Sequence, residues 1–286
     1  MEITLSNGET LFYRKRDGGE NILLLLHGNL ASSDQWDLLM EHLPLNYTIY
    51  ALDLRGYGKS TYNKPIKTFN DFAMDIKLFC DELNLKTFHL IGWSNGGGVA
   101  MQFAANFPSK VKKLILLASM STRGYPAYNS NGERLHSRAE IASDPIINRM
   151  LNAQINGEKE FFKGAMNQLV YPVNKPEKAR FEKYLEGALR QQNIIDVADA
   201  ANRFNISSVS NGIIEGTGEL NHIIAPVLVL WGKNDLMTSE SMTLEIINDM
   251  KEHDIDLTYK VLNAGHSPLV DDIQRVVLNI DDFLLN

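Results

Sequence analysis

The chain has 286 residues, 44% hydrophobic, 22% charged and 9% aromatic, with a net charge of −7. That length and apolar fraction exclude intrinsic disorder and suit one large globular unit, alone or with a sizeable insertion. The acidic balance argues against nucleic acid as a partner, the lone cysteine, Cys80, excludes a disulfide framework or cysteine-based zinc cluster, and no apolar run approaches the roughly 20 residues of a spanning helix.

Residues Met1–Gly8 contain neither the basic nor the apolar segment of a secretory leader, so a soluble, cytoplasmic protein is expected. Glu2–Leu5 and Thr10–Arg16 flank an Asn7–Gly8 turn signal and read as a β-hairpin. Asn21–His27 is Leu-rich at successive positions, the pattern of a strand buried on both faces. Ser32 and Gln35 have capping-box spacing, and Trp36, Leu39, Met40 and Leu43 then share one helical face. Tyr47–Asp53 is the next strand. A glycine-rich turn leads into a helix burying Phe72, Ile76, Phe79, Cys80 and Leu83. Thr87–Trp93 reads as a strand, Asn95–Phe107 as a helix and Val111–Ala118 as a strand. This alternation predicts a parallel sheet covered on both faces.

The rhythm breaks near Ser119. From Met120 to Leu220 apolar residues recur only at helical spacing, as in Phe181, Tyr184, Leu185, Ala188 and Leu189. Val227–Trp231 resumes the strands, followed by a helix near Ser239–His253 and a strand at Asp256–Leu262. The last helix places Ile273, Val276, Val277, Ile280, Phe283 and Leu284 on one face, with Asp271 and Asp272 at its positive end. The expected organisation is an α/β core of residues 1–119 and 221–286 around a helical segment, 120–220. That segment holds 12 Lys+Arg and 12 Asp+Glu, so the whole negative charge falls on the core. A neutral segment favours an uncharged or mildly polar ligand beneath it.

Gly92–Trp93–Ser94–Asn95–Gly96 fits Gly-x-Ser-x-Gly between a predicted strand and a predicted helix. Such a turn pushes the serine out above the sheet edge, and its small neighbours avoid collision with adjacent backbone. A serine hydroxyl needs a base, and the base an orienting acid. Of seven histidines, His266 lies in a loop directly after a strand, where open α/β sheets place their sites. His89 is mid-strand, His42 and His253 end helices, and His136 and His222 lie in or beside the insertion. His27 reads as shaping a loop near the site. Asp235 follows the strand Val227–Trp231, whereas Asp254 and Asp256 precede theirs, at the wrong end of the sheet.

The order Ser94, Asp235, His266 is that of one fold among the serine hydrolases. Together with His27–Gly28, Asp53–Ser60, Gly232–Asp235 and Gly265–Pro268, it makes the chain resemble the α/β-hydrolase superfamily over nearly its full length, most closely its capped esterases and carbon–carbon bond hydrolases. The resemblance implies a mostly parallel eight-stranded sheet with helices on both faces and a helical cap inserted after the sixth strand. It also implies a Ser94–His266–Asp235 triad. The oxyanion hole is expected from the backbone N–H of Asn95 and that of Asn29, with Leu30 the alternative. Haloalkane dehalogenases and epoxide hydrolases are related, but they carry an aspartate where this chain has Ser94.

Trp93, Arg123 and Tyr125 are the expected substrate contacts. Arg123, Arg134, Arg138 and Arg149 could together hold a carboxylate, but solvated helix charges are the favoured account of them. No ligand spacing for a metal and no cofactor motif occurs, and Cys80 reads as a buried structural thiol. The expected activity is hydrolysis of a small carboxylic ester by a monomer or homodimer that binds neither nucleic acid nor membrane. Carbon–carbon, lactone, thioester or amide cleavage by the same triad is the second reading, and a receptor-like protein with vestigial hydrolysis the third.

Overall fold

A computed structural model describes residues 1–286. The first half runs β1 (Glu2–Thr4), β2 (Thr10–Arg16), β3 (Asn21–Leu26), α1 (Asp37–His42), β4 (Tyr47–Leu52), α2 (Phe69–Glu82), β5 (Phe88–Trp93), α3 (Asn95–Asn106) and β6 (Val111–Leu117). Five helices follow without a strand: α4 (Arg138–Ser143), α5 (Pro145–Ile155), α6 (Lys159–Ala165), α7 (Lys178–Leu189) and α8 (Ile194–Arg203). The chain ends with β7 (Val227–Gly232), α9 (Glu240–Glu252), β8 (Leu257–Leu262), α10 (Pro268–Asp271) and α11 (Ile273–Leu285). None of these helices is long and apolar enough to cross a membrane.

The strands form one sheet in the order β1-β2-β4-β3-β5-β6-β7-β8. The β1–β2 hairpin and the β2–β4 pairing are antiparallel; every other pairing is parallel. Strand side chains alternate between faces, and both faces are apolar. Leu24, Leu26, Leu90, Leu114, Leu116 and Val229 enter a core shared with α2, α3, α8 and α9. Leu23, Leu25, Ile91, Ile115, Leu228 and Leu230 enter a second core with α1 and α11. Burying each such side chain contributes about 1.5–3 kcal/mol, which makes the central strands the fixed frame for the loops at their ends.

The helices between β6 and β7 divide in two. Phe162, Met166, Tyr171, Phe181, Tyr184 and Leu185 make a small cluster of their own. By contrast, Val197, Ala200 and Ala201 of α8, with Phe204 and Ile206, join the core beside α2 and α3. The first part is also fastened by polar contacts: the Tyr184 hydroxyl donates to Asp37, Arg180 pairs with Asp37 at 2.7 Å, and Tyr171 donates to Gln35 Oε1 at 3.0 Å.

Two local expectations fail for long-range reasons. Ser32 accepts from the Asp34 N–H at 3.3 Å, but Gln35 closes no capping box because Tyr171, 136 positions away, holds its side chain. Asp271 does not serve the last helix; it accepts from the N–H groups of Gly265 and Asn174 at 2.7 and 2.8 Å. Asp272 alone caps α11, through the Arg275 N–H.

Candidate active site

The parallel strands all end at one sheet edge, and β3 and β5 lie side by side where the chain's winding reverses. Such switch points open a crevice at the carboxyl ends of strands. Ser94 stands there alone between β5 and α3, with φ 56° and ψ −124°. A positive φ is costly for a residue bearing a Cβ, so the turn persists only because its surroundings enforce it. A Cβ on Gly92 would lie 2.3 Å from the Gly96 carbonyl oxygen, and one on Gly96 2.3 Å from that of Leu26. Glycine at both positions is what lets β5, α3 and β3 approach.

The structure brings Ser94, His266 and Asp235 together from three loops. His266 Nε2 lies 3.0 Å from Ser94 Oγ, and His266 Nδ1 lies 2.9 and 3.1 Å from the two oxygens of Asp235. The Asp235 carboxylate is fully buried and accepts further from the Thr238 hydroxyl at 2.5 Å, the Met237 N–H at 2.7 Å and the Thr238 N–H at 2.9 Å. Burial pushes its pKa up, but the charge and hydrogen bond of His266, with Thr238 and Met237, outweigh this and hold it below the ordinary aspartate value. An ionised Asp235 only accepts, so the His266 proton sits on Nδ1 and Nε2 is free to receive one from Ser94. Trp93 steadies the His266 loop, its indole N–H donating to the His266 carbonyl at 2.7 Å.

His27 behaves as a loop former. Its Nδ1 donates to the Gly28 carbonyl at 2.8 Å and its Nε2 accepts from the Leu54 N–H at 3.1 Å. Burial lowers its pKa and keeps it neutral. The next residue must be glycine, since a Cβ on Gly28 would come within 2.8 Å of Ser94 Cβ. The Asn29 N–H has no partner in the protein, while the Leu30 N–H donates to Gln191 Oε1 at 2.8 Å. Asn95 opens α3, where first-turn N–H groups lack intrahelical acceptors. Two free donors therefore flank Ser94, from Asn29 and Asn95.

These groups open into a cavity of about 310 Å³. Its walls include Trp93 and Met237 from the core and Tyr125, Ile147, Phe162 and Met166 from the segment between β6 and β7. No Asp, Glu, Lys or Arg side chain lines it. Arg123 must accordingly be withdrawn from the substrate contacts: it turns away to pair with the buried Asp249 at 2.5 and 3.1 Å. Its three companions are also engaged elsewhere, Arg134 with Asn202, Arg138 with Asp196 and Arg149 with Glu158. Gln35 and Gln191, neither singled out from the sequence as a site residue, reach the site from a turn before α1 and from the segment after α7. No periodicity marks such contacts, because their partners are distant in sequence.

Residues 21–140 match a family model described as alpha/beta hydrolase fold. The chain is 25% identical over 95% of its length to a monoacylglycerol lipase, ABHD6, of Bos taurus, covering 77% of that protein. It is 23% identical over 96% of its length to a 2-hydroxy-6-oxononadienedioate/2-hydroxy-6-oxononatrienedioate hydrolase of Pseudomonas putida, covering 91% of it. Among solved structures, an esterase from Exiguobacterium antarcticum shares the fold with a TM-score of 0.75 at 18% identity, covering 100% of this chain and 99% of that one. Sheet order and these likenesses agree: the chain has the α/β-hydrolase fold and is similar over nearly its whole length to hydrolases.

Proposed function

We propose that the chain is a serine hydrolase of small, uncharged carboxylic esters, with Ser94 as nucleophile, His266 as general base and acid, and Asp235 as the group that orients it. One observation carries the reading: a hydrogen-bonded relay of 2.9 and 3.0 Å opens into a cavity whose walls hold no Asp, Glu, Lys or Arg. In this reading residues 120–220 act as a cap that supplies the apolar wall.

The chemistry follows from the relay. His266 Nε2 removes the hydroxyl proton as Ser94 Oγ bonds to the ester carbonyl carbon, and the negative charge moves to the carbonyl oxygen between the Asn29 and Asn95 N–H groups. His266 then hands its proton to the leaving alcohol as the acyl–oxygen bond breaks. A water deprotonated by His266 attacks the acyl carbon, the Ser94 Oγ–acyl bond breaks as His266 returns the proton to Oγ, and the acid is released. Asp235 stabilises the imidazolium at each stage without taking the proton itself.

The ester reading is favoured over carbon–carbon cleavage by charge. The substrate named for the Pseudomonas putida relative is a dioate, which calls for cations, and all four candidate arginines here are paired or hydrogen-bonded outside the cavity. A neutral acyl ester, such as the monoacylglycerol named for the ABHD6 relative, meets no uncompensated charge. A short-chain nitrophenyl ester tests the proposal: the wild type turns it over and a folded Ser94→Ala variant does not. Equal turnover by both would defeat the assignment.

A further inference from the structure

We propose that Gln191 is a positioning residue that ties the helical insertion to the oxyanion-binding loop and fixes Asn29, rather than Leu30, as that loop's donor. The inference rests on the ester-hydrolase reading above. Gln191 follows α7, is 2% exposed, and crosses to the core through its side chain. Its Oε1 accepts from the Leu30 N–H at 2.8 Å, and its Nε2 donates to Asn29 Oδ1 at 2.7 Å and to Asn193 Oδ1 at 2.9 Å.

Backbone groups at both ends fix the direction of this network. The Leu30 N–H can only donate, so Gln191 must present oxygen to it and nitrogen to Asn29. At the other end Asn193 Nδ2 donates to the Arg55 carbonyl at 2.8 Å, which leaves Asn193 Oδ1 to accept from Gln191. Asn29 Oδ1 receives a second donor, the Tyr57 hydroxyl, at 3.1 Å. Every amide in the chain therefore has one orientation.

Two consequences bear on the reaction. The Leu30 N–H, the sequence alternative for the oxyanion hole, is occupied, which leaves the unpartnered Asn29 N–H to face a developing charge. Leu30 also has a left-handed φ of 49°, a conformation that costs a branched, non-glycine residue free energy and needs external restraint. Gln191 supplies that restraint through the N–H of the strained residue. Since Gln191 belongs to the insertion, seating of those helices and alignment of the Asn29 donor become one event.

The test compares Gln191→Met, which keeps the side-chain length but loses all three hydrogen bonds, with Asn193→Ala, which removes one acceptor of the Gln191 amide. For the nitrophenyl ester, Gln191→Met is expected to lower kcat by roughly 10- to 100-fold, short of full loss of an oxyanion donor, with KM within about twofold. Asn193→Ala gives a smaller loss of the same kind. A trifluoromethyl ketone, which Ser94 Oγ adds to as its carbonyl oxygen becomes an oxyanion, should lose affinity in parallel with kcat/KM in both variants. Thermal unfolding establishes the folded fraction of each variant. Wild-type kcat in folded Gln191→Met, or losses that merely track the unfolded fraction, would overturn the inference while leaving the ester reading intact. An inactive wild type would remove that reading and this inference with it.

Discussion

Asp235 Oδ2 lies 2.9 Å from His266 Nδ1 across the carboxyl ends of the neighbouring strands β7 and β8, and every other lone-pair direction of the carboxylate is taken by Thr238 and Met237. In Asp235→Asn the side-chain oxygen still satisfies the two backbone N–H groups, so the loop survives. The amide nitrogen then faces His266 Nδ1 and forces the tautomer with its proton on Nε2, which cannot accept from Ser94. We expect kcat/KM to fall by roughly 10³–10⁴-fold with little change in the thermal midpoint. Steady-state kinetics on the nitrophenyl ester, with a melting curve, checks both halves.

The cavity predicts a substrate range. Each methylene that enters an apolar wall contributes about 0.8 kcal/mol, or about fourfold in kcat/KM where the gain is realised in the transition state. Activity should therefore climb with acyl length and then fall once 310 Å³ is filled. Met166→Trp, placed on the wall between α6 and α7, should move the optimum to shorter chains. Esters ending in a carboxylate should be turned over at least about 100-fold more slowly, because burying an unpaired charge is costly. A homologous series of nitrophenyl esters with and without a terminal carboxylate reads all three effects.

Arg123 separates a structural cation from a substrate-gripping one. Its partner Asp249 is buried and would keep only the Thr122 hydroxyl and a charge without a counterion. Arg123→Met should cost about 1–3 kcal/mol of stability while leaving KM for neutral esters unchanged. Chemical denaturation and ester kinetics on the same preparation decide this; a raised KM at unaltered stability would return Arg123 to the substrate.

How far the sequence could be read depends on how local the cause was. The alternation of Leu23 to Leu26 between two cores, and the strand-to-helix turn at Ser94, are short-range consequences of β geometry and glycine placement, so they are visible in the string. The approach of Asp235 and His266 was also within reach, because parallel strands deliver their following loops to one edge. Arg123 misled because nothing near it in sequence announces Asp249, 126 positions on. Gln35 carried a capping signature that Tyr171 overrides, and Gln191 lies in a segment whose polar residues show no pattern at all. Side-chain pairing between the insertion and the core is a property of the packed molecule.

His89 gives the pH dependence of stability a definite sign. It is buried on β5 with an unpartnered Nδ1, and burial, with the positive charges of Lys112 and Lys113, lowers its pKa from 6.5 to about 4. The unfolded chain therefore takes up a proton near pH 6.5 that the folded chain refuses until about pH 4, so stability falls as pH drops through that window. His27, also held neutral by burial, acts in the same direction. His89→Phe should flatten part of the slope of thermal midpoint against pH between 6.5 and 4, which calorimetry across that range measures directly.

The proposed reaction requires Ser94 to bond covalently to the substrate's acyl group. Rapid quenching of the enzyme during turnover of a nitrophenyl ester, followed by intact-mass and peptide analysis, addresses it most directly. One added acyl group per chain is expected, located on Ser94 and absent from Ser94→Ala. An acyl group on another residue, or full turnover by Ser94→Ala with no adduct, would contradict it.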